Sequence, residues 1–207
     1  MISRELQKRI LSSIILFPIA YYFILSGSFY LIFFTIICFL VSIYEWNKMV
    51  KKKKFKFLGS LFLIISFYTF YEISVGYFWI YVLLVCVSTD IGGYIFGKLF
   101  KGPKLIKISP NKTYSGMIGG YFLSLLTLKL FLNIYDNNVN VEWFIVTILI
   151  SSVSQIGDII ISYFKRLSKL KNTGKIIPGH GGLLDRIDGM IFAFPIFYLI
   201  KLTNYLS

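Results

Sequence analysis

The sequence predicts an all-α, polytopic integral membrane protein with about seven transmembrane helices and a cytoplasmic N-terminus. Three observations carry that expectation. Of 207 residues, 57% are hydrophobic and only 15% charged, with a mean hydropathy of +0.74, more apolar surface than a soluble domain of this size needs. Apolar runs of about 20 residues recur along the chain, the length that crosses a bilayer. Basic residues crowd alternate connections, as the positive-inside rule requires. The net charge of +13 would suggest nucleic acid for a soluble chain. Here anionic lipid and the topology rule account for it, and no nucleic-acid partner is expected.

The elements follow in order. Arg4, Lys8 and Arg9 precede an apolar run from Ile10 to Leu25. That start resembles a signal peptide, but the run is long and aromatic and lacks a small-residue cleavage site, so it reads as a retained first span. Ser26-Gly27-Ser28 turns into a second span, about 29–45. Lys48, Lys51 to Lys54 and Lys56 make a basic loop before the third span, about 57–74. A short turn, Glu72 to Gly76, leads to the fourth, about 77–96, which carries Asp90. Residues 97–114 form the first extended polar loop. The fifth span, about 115–134, is entered through Gly116, Gly119 and Gly120. A short polar loop from Asp136 to Glu142 precedes the sixth span, about 143–164. A second extended loop covers 165–184, and the seventh span runs from about 185 to 204. The N-terminus, the 48–56 loop, the 98–112 loop and the 165–186 segment together hold 20 of the 22 basic residues. The connections near 27, 74 and 138 hold none, so both polar loops are expected in the cytoplasm and the C-terminus outside. Cys38 and Cys86 lie inside apolar runs without a Cys/His cluster, so neither a disulfide framework nor a zinc site is expected.

Polar residues then mark a site. Asp158, Ser162, Lys165 and Arg166 stand at i, i+4, i+7 and i+8, one face of a helix. Asp185 and Asp188 stand at i and i+3, again one face. Three carboxylates, fixed cations and the turn Pro178-Gly-His-Gly-Gly182 make up a metal-assisted phosphate site if they converge. An intramembrane carboxylate such as Asp158 is costly unless paired or metal-bound. Its bland alternative is a structural pair with Lys165 or Arg166. Asp185 sits where a helix N-cap would be, a role compatible with metal ligation. The glycines around His180, the single histidine of the chain, can turn backbone N–H groups toward an anion or can simply make a turn. Ser109-Pro-Asn-Lys112-Thr113 ahead of Gly116 offers a hydroxyl, a cation and a helix start to a phosphate, or is an ordinary loop. Asp90, followed by Gly92-Gly93-Tyr94, is a second intramembrane carboxylate that could ligate, position a ligand or pack.

Taken together these residues resemble the phosphatidate cytidylyltransferase (CDP-diacylglycerol synthase) family. The family signature is similar to Ser162-x-x-Lys165-Arg166, then Lys171, then Pro178-x-His180-Gly181-Gly182-x-x-Asp185-Arg186-x-Asp188. The upstream Asp90-Ile-Gly-Gly-Tyr94, Ser109-Pro-x-Lys112-Thr113 and Gly157-Asp158 resemble further family motifs. The likeness covers about residues 88–190. It divides one continuous membrane domain into N-terminal helices, 1–87, and a catalytic region with two cytoplasmic loops, 88–207. Asn172 departs from the family, which usually has Asp there. An amide can still offer an oxygen to a metal, without the charge.

The resemblance implies that CTP and phosphatidate react to CDP-diacylglycerol and pyrophosphate at a bacterial inner membrane, on its cytoplasmic side. It implies Mg²⁺ held by Asp158 and Asp185, with Asp188 as ligand or outer partner. Lys165, Arg166, Lys171 and Arg186 would bind phosphates, and Ser109, Lys112 and Thr113 would close over the nucleotide. Asp90, Ser162, His180, Gly181 and Gly182 complete the expected substrate contacts. Membrane lipids are the surroundings, and a homodimer is an assembly open to the chain. Two other readings stay open: a CTP-dependent polyprenol kinase, and an anion transporter whose carboxylates bind coupling ions.

Overall fold

A computed structural model describes residues 18–106, 109–134, 140–179 and 181–203. Residues 18–25 are helical, and the rest of the expected first span lies outside the described residues. Five long helices follow: α1 (Ser28–Met49), α2 (Lys53–Ser74), α3 (Phe78–Phe100), α4 (Tyr114–Ile134) and α5 (Val141–Leu167). All five are long and apolar enough to cross a membrane. Most extend past the expected ends, because Lys and Arg side chains can lie along a helix while their charges reach the interface. Lys53 and Lys54 thus open α2, and Lys165 and Arg166 close α5.

Two features depart from the expected pattern. The first polar loop contains a small antiparallel hairpin, β1 (Lys104–Ile106) with β2 (Ser109–Thr113), so the chain is not wholly helical. Lys104 lies opposite Thr113 and Ile106 opposite Ser109. The seventh span is not one helix. A single turn, α6 (Leu184–Ile187), is separated from α7 (Met190–Leu202) at Asp188-Gly189. The Asp188 carboxylate accepts its neighbour's N–H, Gly189 N to Oδ1 at 3.0 Å, a local bond that competes with helix continuation. With 13 residues, α7 is shorter than the roughly 20 a full crossing needs.

The described chain forms two compact units. One joins the chain up to Val75 with Phe164–Ile187. Here the Trp46 indole stacks edge-on against Phe164 at 4.9 Å. Its N–H reaches the carbonyl oxygens of Phe55 and Lys56 at 3.2 and 3.3 Å. Gly59 leaves room for the indole, which any Cβ there would strike. Ser168 donates to the Met49 carbonyl at 2.6 Å. The loop after α5 therefore lies at the same end of α1 as the basic segment 48–56.

The other unit comprises Gly76–Tyr163 and the chain from Asp188. Its α3 and α4 run antiparallel with backbones in contact. A Cβ on Gly116 would sit 2.6 Å from the Gly93 carbonyl oxygen, and one on Gly92 would strike the Gly119 carbonyl. Glycines four apart on both helices, Gly93 with Gly97 and Gly116 with Gly120, create this approach, which is how helices associate where no hydrophobic effect drives them. Hydroxyl pairs add interhelical bonds: Tyr81 to Thr147 at 2.7 Å, Thr89 to Ser151 at 2.8 Å and Tyr121 to Ser152 at 2.8 Å. All three reach α5, whose polar residues therefore face inward rather than toward lipid.

Candidate active site

The close approach of α3 and α4 brings the hairpin against α5. Thr113 caps α4, its Oγ1 accepting the Gly116 N–H at 3.1 Å. The preceding Lys112 is thereby aimed along α5, where its ammonium pairs with Asp158 Oδ2 and lies 3.5 Å from the Gln155 carbonyl. Ser162, one turn on, donates to Asp158 Oδ1 at 3.2 Å. Thr89, Asp90, Gly93, Tyr94, Lys112, Thr113, Gln155 and Asp158 line a cavity of about 240 Å³ in this unit. Lys112 and Asp158 are each about a quarter exposed, so the pair is reachable from solvent and open to exchange of partners. Asp90, Lys112, Thr113 and Asp158, distant in sequence, are thus brought together on one cavity. Asp158 has the fixed partner that its depth demands, but that partner is Lys112, not Lys165 or Arg166.

Ser109 stands apart, at the hairpin's tip opposite Ile106. Asp188 is half-buried beside α5. Gly157 allows that contact, since a Cβ there would lie 2.8 Å from the Asp188 carbonyl oxygen.

In the other unit the second polar loop is organised around two carboxylates. Asp185 Oδ1 accepts from the buried Lys165 ammonium at 2.8 Å. Its Oδ2 accepts the N–H groups of Thr173 and Gly182, at 2.8 and 3.0 Å. Asp185 therefore ties α5 to both ends of the loop. Ile177 and Gly181 exchange backbone hydrogen bonds at 2.9 and 3.1 Å. Gly179 and Gly181 have φ of 77° and 93°, which residues with a Cβ rarely adopt. The N–H groups of Gly181 and Gly182, offered by the sequence to a phosphate, are thus engaged within the protein. His180 lies outside the described residues. Lys171 and Asn172 are exposed, and Arg166 donates to the Leu170 carbonyl at 3.3 Å. Arg186 is exposed on α6.

The second carboxylate is Glu45, in the last turns of α1, which sequence reasoning passed over. Only 1% exposed, it accepts from Thr173 Oγ1 at 2.9 Å, Leu183 N at 3.0 Å and Leu184 N at 2.9 Å. The signal was present, since the rule that singled out Asp90 and Asp158 applies equally to a carboxylate in an apolar run. It was masked because Glu45 stands where the second span was expected to end.

Among the described residues no three His, Cys, Asp or Glu side chains gather into a ready-made metal cage. Individually, Asp90 and Asp158 offer hard oxygens to one cavity. Asp185 is heavily committed: three of its roughly four acceptor sites are filled.

Comparison with known proteins adds the family. The model of the cytidylyltransferase family matches residues 57–203. A phosphatidate cytidylyltransferase of Staphylococcus aureus is 40% identical over 168 residues, 75% of this chain and 64% of that protein. Those so named from Staphylococcus haemolyticus and Staphylococcus saprophyticus are 38% and 35% identical, each over 73% of this chain and 63% of theirs. The matched region thus spans less than two thirds of these relatives' own length.

Proposed function

The chain belongs to the cytidylyltransferase family, and from that premise we propose that it transfers the cytidylyl group of CTP to phosphatidate. A phosphate oxygen of the lipid forms a bond to the α-phosphorus of CTP. The bond from that phosphorus to the bridging oxygen breaks, and pyrophosphate leaves. The convergence of Lys112, Asp158, Asp90 and Thr113 on one cavity carries this reading, because both reactants are anions and a lysine beside carboxylates able to hold a divalent cation can offset their repulsion. No general base is needed, since the attacking phosphate is already ionised.

Magnesium is the proposed cofactor, held by Asp158 and Asp185 with Asp188 as ligand or outer partner. The donor chemistry fits, because Mg²⁺ takes carboxylate oxygens and often binds through one or two of them with substrate phosphates completing the shell. Asp158 suits it best, being partly exposed and already facing a cation, Lys112. Bound there, the ion would neutralise phosphate charge and polarise the reacting phosphoryl group. Lys165, Arg166, Lys171 and Arg186 bind phosphates in this scheme. Ser109, Lys112 and Thr113 close over the nucleotide, and Ser162 steadies Asp158.

The proposed setting is the cytoplasmic membrane of a bacterium, with seven spans and with the N-terminus and both basic loops in the cytoplasm. The distribution of Lys and Arg supports it, as does the bond from Ser168 to Met49, which brings the second loop beside the basic segment 48–56.

The test follows the label. With CTP labelled at the α-phosphate and phosphatidate as acceptor, label enters the lipid and pyrophosphate is released. With a polyprenol acceptor no lipid is labelled or phosphorylated. Soluble labelled CDP together with a phosphorylated polyprenol would identify a CTP-dependent kinase instead.

A further inference from the structure

Glu45 is the most deeply buried carboxylate among the described contacts of the second loop, and the proposed reaction does not use it. Its surroundings are built for it. Thr173 gives its hydroxyl to Glu45 Oε2 and its N–H to Asp185 Oδ2, so one residue is clasped by both carboxylates. Three consecutive N–H groups follow the same division, Gly182 donating to Asp185 and Leu183 and Leu184 to Glu45. Gly174 and Gly182 both lie against the Glu45 carboxylate, where any Cβ would collide with it. A row of backbone N–H groups of this kind forms an anion-binding concavity. In this chain the anion is the protein's own.

We propose that Glu45 is a positioning residue that holds the 173–184 loop in the shape that presents Asp185 and Lys165. Its donors are one hydroxyl and two backbone N–H groups, all directed at the carboxylate oxygens, so hydrogen bonds to the carboxylate supply the hold. Glutamine at this position keeps the volume but turns one acceptor into a donor, which then faces an N–H or a hydroxyl. The loop loses at least one bond and gains a repulsive contact. Asp185, at its edge, inherits that freedom, and misplacement of about 1 Å at a reacting group can cost about a hundredfold in rate. The kinetic consequence rests on the cytidylyltransferase reading; the anchoring does not.

The experiment compares the full-length protein in detergent with Glu45→Gln, Glu45→Asp and Thr173→Val. Amide hydrogen exchange of the 173–184 segment is read first. Glu45→Gln should exchange about tenfold faster there or more, the value of a lost hydrogen bond, with α3 and α4 unchanged. Thr173→Val, which removes a single donor, should move the same way by less, and serves alone if Glu45→Gln does not fold. Turnover is read second, per mole of folded protein. kcat should fall at least tenfold in Glu45→Gln with KM for CTP within threefold, and Glu45→Asp should recover part of it. Unchanged exchange in this segment for both Glu45→Gln and Thr173→Val overturns the proposal. So does faster exchange with an unaltered kcat, which would make Glu45 a purely structural anchor. If the wild type forms no CDP-diacylglycerol, the cytidylyltransferase reading falls, while the exchange result still decides whether Glu45 positions the loop.

Discussion

Lys112 of the β-hairpin pairs with Asp158 of α5 across the cavity that α3 and α4 frame. A cation and a carboxylate that meet while still partly exposed can trade each other for a substrate and its counter-ion. Asp158→Asn should lower turnover about a hundredfold or more, the usual cost of losing one electrostatic contact to a transition state, which Asp158 would make through the proposed Mg²⁺. Lys112→Met should cost less in kcat and raise KM for CTP. The double variant should be little worse than Asp158→Asn alone, because residues that act as a unit are not additive. Losses that multiply would mean that the two act separately.

Asp185 differs from Asp158 in what it holds. It joins Lys165 to both ends of the loop and is largely buried with it. Removing one partner of such a pair leaves an uncompensated charge and costs about 3 kcal/mol or more. Lys165→Met and Asp185→Ala should therefore lower Tm clearly in detergent, whereas Asp158→Ala should lose turnover with little change in Tm. Equal Tm for all three would show that the Lys165–Asp185 pair contributes nothing to stability.

The glycine contact between α3 and α4 sets the width of the candidate site. Gly116→Ala would drive a Cβ into the Gly93 backbone, which cannot swing aside as a side chain would. A destabilisation of about 1–3 kcal/mol is expected, with loss of turnover as the cavity is distorted. Gly76→Ala, where nothing lies within 4 Å of the added carbon, is the neutral control. Thermal unfolding in detergent separates the two.

Asn172 stands beside Gly181 of the second loop, its side chain 3.1 Å from where a Gly181 Cβ would be. Asn172→Asp restores the residue usual in the family this chain resembles. Turnover should be kept or raised, and the Mg²⁺ concentration for half-maximal activity lowered by the added charge. Complete loss of turnover would show that the neutral amide is required here.

Topology is tested by single cysteines in a Cys38→Ala/Cys86→Ala background, labelled with an impermeant reagent. Asn140→Cys should react in intact cells. Lys52→Cys and Lys171→Cys should react only after the membrane is opened. The reverse pattern would overturn the cytoplasmic placement of the basic loops.

The sequence by itself determined the membrane class, because hydrocarbon imposes a length and an apolarity that each long span must meet alone. Some candidate residues stood out for the same reason: Asp90 and Asp158 are charges where charge is expensive, whereas Lys165 and Asp185 stood out by their spacing from other polar residues. Partnership was not legible. Asp158 is served by Lys112, 46 residues earlier in the numbering, and Glu45 by Thr173 and Leu184, because hydrogen bonds follow distance in space rather than along the chain. Only the tertiary structure decided that the second loop turns its N–H groups inward, Gly181 onto the Ile177 carbonyl and Gly182 onto the Asp185 carboxylate. A glycine-rich turn has the freedom to face either way, and the direction is set by which acceptor the packing brings within about 3 Å of it.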